Sequence, residues 1–191
     1  LAGLAGIYPQ DDIAGIAAAL EYARTRVGNA TGRDGEPLQE RALGTATILA
    51  GLKLDAGAVR AALLLGLPGA GAFDVEAVTD AFGADVAALV AGVARMDDIR
   101  ALPATGSADD RSAQAERLRK MLLAMVEDIR VVLIKLAERT QALRFLMTCG
   151  DAAQALRERS AHEVLELFAP LANRLGVWQL KWELEDLSLR A

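Results

Sequence analysis

The run Ile129-Arg130-Val131-Val132-Leu133-Ile134-Lys135-Leu136-Ala137-Glu138-Arg139-Thr140-Gln141-Ala142-Leu143 decides the fold. Ile129, Leu133, Leu136, Thr140 and Leu143 fall on one helical stripe, and Val131, Val132 and Ile134 make the opposite side apolar too. A helix apolar nearly all round belongs at the centre of a bundle. Around it, from Ser112 to the end, the pattern is helical with breaks near Glu127-Asp128, Gly150 and Gly176. Pro170, inside Leu167-Phe168-Ala169-Pro170-Leu171, predicts a kink or a restart.

Towards the N-terminus, Asp11 and Asp12 are placed to cap a first helix whose Ile13, Ile16, Ala17 and Leu20 share a face, ending near Val27-Gly28-Asn29. Residues 28–37 read as a polar turn, with Pro37 suited to the first turn of the next helix. Helices are predicted over about 38–52, 55–67, 74–82 and 84–95. The stretch Gly66-Leu67-Pro68-Gly69-Ala70-Gly71-Ala72 reads as a flexible break, and residues 97–110 as an exposed connection. No stretch alternates like a strand, and no repeat is visible, so the fold class is all-α: one compact multi-helix domain over residues 1–191.

Composition agrees. Hydrophobic residues make up 53% of 191 while aromatics are only 4%, and Ala and Leu, the leading helix formers, dominate. A net charge of −5 offers no global positive field for nucleic acid. No apolar run reaches the ~18 residues of a membrane span, Arg60 and Lys135 breaking the best candidates. A single cysteine, Cys149, excludes an internal disulfide and suggests the cytoplasm. A single histidine, His162, excludes any site needing two imidazoles. Starting at Leu1 and stopping at Ala191 within a helical pattern, the chain reads as a piece of a longer protein.

Local constellations carry little chemistry. The glycine-rich 66–72 stretch lacks the Gly-Lys-Ser/Thr ending of a phosphate loop and follows no strand, so it reads as a helix connection. Cys149 and His162 have no orienting third group; the cysteine reads as a small half-buried residue and the histidine as part of a solvated face. Asp97-Asp98, Asp109-Asp110, Glu127-Asp128 and the group Glu183, Glu185, Asp186 read as caps and surface charge. Arg117, Arg119 and Lys120, with Arg111 upstream, form the best local anion patch, although a solvated edge balanced by Glu116 is the commoner meaning of such a cluster.

Two longer segments go further. Arg119 to Arg139 (Arg-Lys-Met-Leu-Leu-Ala-Met-Val-Glu-Asp-Ile-Arg-Val-Val-Leu-Ile-Lys-Leu-Ala-Glu-Arg) and Ala169 to Asp186 (Ala-Pro-Leu-Ala-Asn-Arg-Leu-Gly-Val-Trp-Gln-Leu-Lys-Trp-Glu-Leu-Glu-Asp) resemble the N-terminal half of long RelA/SpoT-type enzymes, which make and degrade (p)ppGpp. The resemblance extends back to about Gly35. It implies an all-α hydrolase domain of the His-Asp metal-dependent phosphohydrolase type. In that family a divalent ion, usually manganese, activates water against the 3′-pyrophosphate.

Followed through this sequence, the family motif loses its ligands. After Gly35-Glu36-Pro37 the first metal-binding His falls at Arg41. The His-Asp pair falls at Leu65-Gly66, the Glu-Asp pair that handles water and protons at Gly69-Ala70, and the last Asp at Glu138, with Gln141-Ala142 replacing a His-Asn. The base-contacting Arg aligns near Gly32, with Arg33 one residue out of step.

The resemblance therefore implies the synthetase-only RelA branch, as does Gly176-Val177-Trp178-Gln179-Leu180-Lys181-Trp182: a pseudo-hydrolase, not itself an enzyme, with no metal and no cofactor. Its parent would be a GTP pyrophosphokinase of the stringent response, acting with the ribosome, with a synthetase domain beyond Ala191. The role expected here is structural and regulatory, through helices around 112–191 that dock on the synthetase domain. The last helix, with Trp178, Trp182, Leu184 and Leu187, is the expected relay, although Trp spacing of this kind usually means core. The alternative is a metal-independent guanine-nucleotide module using Arg33, Arg41 or the Arg117/Arg119/Lys120 cluster, with no membrane or nucleic-acid partner.

Overall fold

The computed structural model describes residue 4, residues 6–98 and residues 128–191. Helix α1 (Gln10–Val27) leads into α2 (Leu38–Gly51), α3 (Ala56–Leu64), a single turn α4 (Gly66–Gly69), α5 (Val75–Phe82) and α6 (Ala84–Asp98). Then come α7 (Ile129–Thr148), a 3₁₀ turn (Asp151–Ala153), α8 (Gln154–Glu163), a π-helical turn (Val164–Phe168), α9 (Ala169–Arg174) and α10 (Trp178–Leu189). Among the described residues the only β pairing is an isolated bridge between Thr31 and Pro37.

α7 is the axis, packing against α2, α3 and α6 on one side and α8 and α10 on the other. Val132, Ile134, Leu136, Ala137 and Leu143 are fully buried, each leucine contributing about 2 kcal/mol of apolar burial. The start of the predicted stripe is less covered: Ile129, beside the helix N-terminus, is exposed and Leu133 is only partly buried. Alanines set the helix spacing on the N-terminal side. Ala19 and Ala23 of α1 meet an α3 whose Ala58, Ala61 and Ala62 are completely buried, and such small side chains allow close axes.

Asp55, Asp74 and Asp128 cap α3, α5 and α7 by accepting hydrogen bonds from first-turn amides. Asp11 and Asp12 do not cap α1; both lie inside its first turn, and Asp12 instead accepts a 2.7 Å hydrogen bond from Arg60. Arg130 gathers Asp55, Asp85 and Asp128, tying the N-terminal ends of α3, α6 and α7 together.

The glycine-rich break is ordered. Residues 66–69 make a helical turn with Gly66 and Leu67 buried, because a bare Cα is what fits there: a Cβ at Gly66 would stand 3.1 Å from Val27 Cγ2, and one at Gly69 3.0 Å from Leu38 Cδ1. Pro68 sits in the first turn, where its missing N–H leaves no bond unmade. α6 extends past the predicted limit to Asp98; the rest of the 97–110 connection, and Ser112 to Glu127, lie outside the described residues. Near Pro170 the chain does restart: the π turn widens the helix and α9 begins with the proline in its first turn.

α2 ends in a Schellman turn, with Leu54 N–H donating to Leu49 O and Lys53 N–H to Ala50 O, and this places Lys53 at φ 58°. Lys53 is exposed and the only described residue other than glycine with positive φ. Lys53→Gly is therefore expected to raise stability by about 1 kcal/mol in urea unfolding, by removing the left-handed penalty on a side chain.

Candidate functional site

The loop between α1 and α2 is a tight hairpin. Gly32 N–H donates to Glu36 O at 2.8 Å, Gly35 N–H to Gly32 O at 3.0 Å, and Leu38 N–H to Ala30 O at 2.9 Å, with Gly35 at φ 85° closing the turn. The turn directs Asp34 and Glu36 at Arg41, one turn into α2. Arg41 Nε donates to Glu36 Oε2 at 2.8 Å, Nη2 donates to Asp34 Oδ1, and Nη1 faces Glu138 Oε1 of α7 at 3.8 Å. Gln141, on the next turn of α7, donates to Glu36 Oε1 at 2.7 Å. Glu138 is further held by Lys135 at 2.6 Å and Arg139 at 2.7 Å.

Burial makes this network electrostatically costly and therefore tightly paired. Glu36 is 0% exposed, Lys135 1%, Arg139 3% and Glu138 5%. Burial pushes the Glu36 carboxyl above its ordinary value, with the hydrogen bonds from Gln141 and Arg41 opposing the shift. Burial acts the same way on Glu138, but the charges of Arg139, Lys135 and Arg41 outweigh it and hold that carboxyl well below the usual range. Burial disfavours the Arg41 charge, yet Glu138, Glu36 and Asp34 together hold it firmly protonated.

Of the positions that the resemblance aligns with metal ligands, Arg41, Leu65, Gly66 and Glu138, only Glu138 offers an oxygen, and three cationic side chains surround it, a donor set that does not fit a divalent ion. Leu65 to Ala70 pack towards α1 and α2, with Gly66 against Val27 and Leu38, and Gly69 and Ala70 bring no side-chain donor. As an anion contact, Arg41 is corrected: all three guanidinium nitrogens face carboxylates. Arg33 is exposed on the hairpin, whereas Arg117, Arg119 and Lys120 lie outside the described residues.

His162 is exposed, 3.5 Å from Glu166 along its own helix, and the Cys149 thiol faces Phe145 O. Glu183, Glu185 and Asp186 make ion pairs with Arg144, Lys181 and Arg190. The core role for the tryptophans is corrected as well: Trp178 and Trp182 are 53% and 66% exposed, because α10 buries Leu180 and Leu184 instead. Sequence reasoning passed over Asp34, Lys135, Arg139 and the partnership of Glu36 with Gln141; the glycines at 32 and 44, which abut Arg41 and Gln141, were its available signal.

The family profile described as "HD domain" matches residues 19–178. The bifunctional (p)ppGpp synthase/hydrolase SpoT of Escherichia coli K12 is 40% identical over 183 residues, 96% of this chain and 25% of that protein. The guanosine-3′,5′-bis(diphosphate) 3′-pyrophosphohydrolase of Haemophilus influenzae is 44% identical, over 82% of this chain and 22% of its own length. The GTP pyrophosphokinase of E. coli K12 is 45% identical, over 75% and 19%. The chain thus spans about a quarter or less of these relatives. Because relatives at 40% and 44% identity carry hydrolase names, the expectation that this stretch is not an enzyme is overturned. With both kinds of relative matching, similarity extends to SpoT/RelA-type proteins without selecting a branch.

The two buried glutamates have opposite consequences for acid stability. Glu36, raised in the fold, favours folding as pH falls from its folded value towards the ordinary 4.5; Glu138, lowered in the fold, stabilises above 4.5 and loses that contribution as pH falls below it. Urea unfolding at stepped pH is expected to show Glu138→Gln flattening the loss below pH 4.5 and Glu36→Gln removing the gain above it.

Proposed function

Since this chain belongs to the HD domain family and matches the N-terminal region of SpoT/RelA-type (p)ppGpp enzymes, we propose that it serves (p)ppGpp metabolism as a regulatory domain. In the longer protein it would be coupled to a synthetase that transfers pyrophosphate from ATP to the 3′-hydroxyl of GTP or GDP. The GTP pyrophosphokinase branch is the assignment we favour, on the Gly176 to Trp182 run.

The observation that carries the regulatory reading is the double-sided character of α10. Its inner face, Leu180 and Leu184, is fixed to the bundle, and Arg144 of α7 donates to Glu183 at 2.5 Å. Its outer face presents Trp178, Trp182 and Leu189, the last 81% exposed. α7 carries the Arg41 network at Glu138 and Gln141 and the α10 contact two turns or fewer away, so one rigid element touches both. Coupling between domains requires a surface that meets the two states of its partner differently, and an aromatic face on such an element supplies one.

In the full-length protein, Trp178→Ser/Trp182→Ser is expected to change the rate or effector response of pyrophosphate transfer. In the 191-residue chain the same pair is expected to shift stability by no more than about 0.5 kcal/mol each, as exposed positions do. Unaltered transfer kinetics would remove the coupling role.

A second reading, metal-independent binding of a guanine nucleotide, is favoured by Arg33, a cation exposed on the hairpin. Calorimetric titration with ppGpp and with GTP is expected to saturate in the parent chain and weaken in Arg33→Ala; a flat trace at millimolar nucleotide eliminates this reading.

A further inference from the structure

We propose that Asp34, Glu36, Glu138 and the bare face of Gly32 form a preformed cradle for a guanidinium ion, which in this chain holds the side chain of its own Arg41. Each wall of the cradle has an anchor independent of Arg41. Glu36 Oε1 accepts from Gln141 at 2.7 Å, Glu138 is held by Lys135 at 2.6 Å and Arg139 at 2.7 Å, and Asp34 sits in a hairpin closed by its own backbone bonds, with Glu36 N–H donating to Asp34 Oδ1 at 3.4 Å. The walls therefore stand without the cation they surround.

The floor is shaped for a flat group. A Cβ at Gly32 would lie 2.9 Å from both Nη atoms of Arg41 and 2.9 Å from Asp34 Oδ1, closer than side-chain carbons approach real neighbours. Gly32 is not among the glycines at positive φ, so no backbone requirement explains it. Gly44, one turn further along α2, repeats the device: a Cβ there would lie 2.2 Å from Gln141 Oε1, and Gln141 is the anchor of Glu36. Two glycines without a conformational reason thus make room for the guanidinium and for the carboxamide that fixes its partner. A planar fork with donors in fixed directions matches carboxylates on several sides, which a compact cation does not do.

The test is chemical rescue. Arg41→Ala is expected to lower the melting temperature of the 191-residue chain, and methylguanidinium at millimolar concentration is expected to restore it saturably while leaving the parent chain unmoved. Sodium chloride at equal ionic strength and manganese chloride are expected to restore little. A rise no greater than with sodium, an equal rise with manganese, or the same rise in the parent chain overturns the proposal.

A double-mutant cycle reads the floor independently. Gly32→Ala is expected to lower the melting temperature more when Arg41 is present than in Arg41→Ala, where only the Asp34 contact remains. If Arg41→Ala does not fold, the cycle is run with Arg41→Lys, which keeps the charge and removes the Nη fork. Equal effects of Gly32→Ala in both backgrounds overturn the cradle.

Discussion

Two carboxylates, Glu36 and Glu138, are buried on different segments, and a buried charge without a counter-charge is among the most destabilising features a fold can carry. Much of the local architecture answers that demand. Arg41 reaches both acids from α2, Lys135 and Arg139 share Glu138, and Gln141 completes the coordination of Glu36. A pair of this kind adds little net stability compared with an apolar replacement, because desolvation offsets most of the attraction. Its effect is on specificity: the hairpin, α2 and α7 cannot slide past one another without separating charges in a low-dielectric interior.

Arg130 offers the contrast. It too collects three aspartates, but those carboxylates are 50%, 62% and 30% exposed, so water and salt screen their attraction and the cluster acts as a surface tie between helix ends. The two clusters differ little in residue type. Depth decides which of them constrains the fold.

Helix positions were legible in the sequence because periodicity and capping are local. The apolar circumference of α7, the cap at Asp128 and the restart at Pro170 all follow from residues within one or two turns. Errors arose where a local signal had a distant cause. Gly66 and Gly69 look like a flexible break until Val27 and Leu38 stand beside them. Trp178 and Trp182 have core spacing, yet α10 rotates to bury Leu180 and Leu184, leaving both rings outside. The resemblance points to Arg41 and Leu65 as positions aligned with family ligands, but the partners of Arg41 were out of reach, since its network draws on α2, the hairpin and α7, and no periodic pattern links residues that far apart.

The hydrogen bond between Gln141 and Glu36 joins residues 105 positions apart. Contacts of such separation form late, because the intervening chain must first surrender the entropy of a large loop. Until α7 docks, Glu36 has only its own hairpin and Arg41 for company, and an ion pair that close to the surface of a half-formed bundle is weak. The α1–α2 hairpin is therefore a region whose final geometry belongs to the last stage of folding.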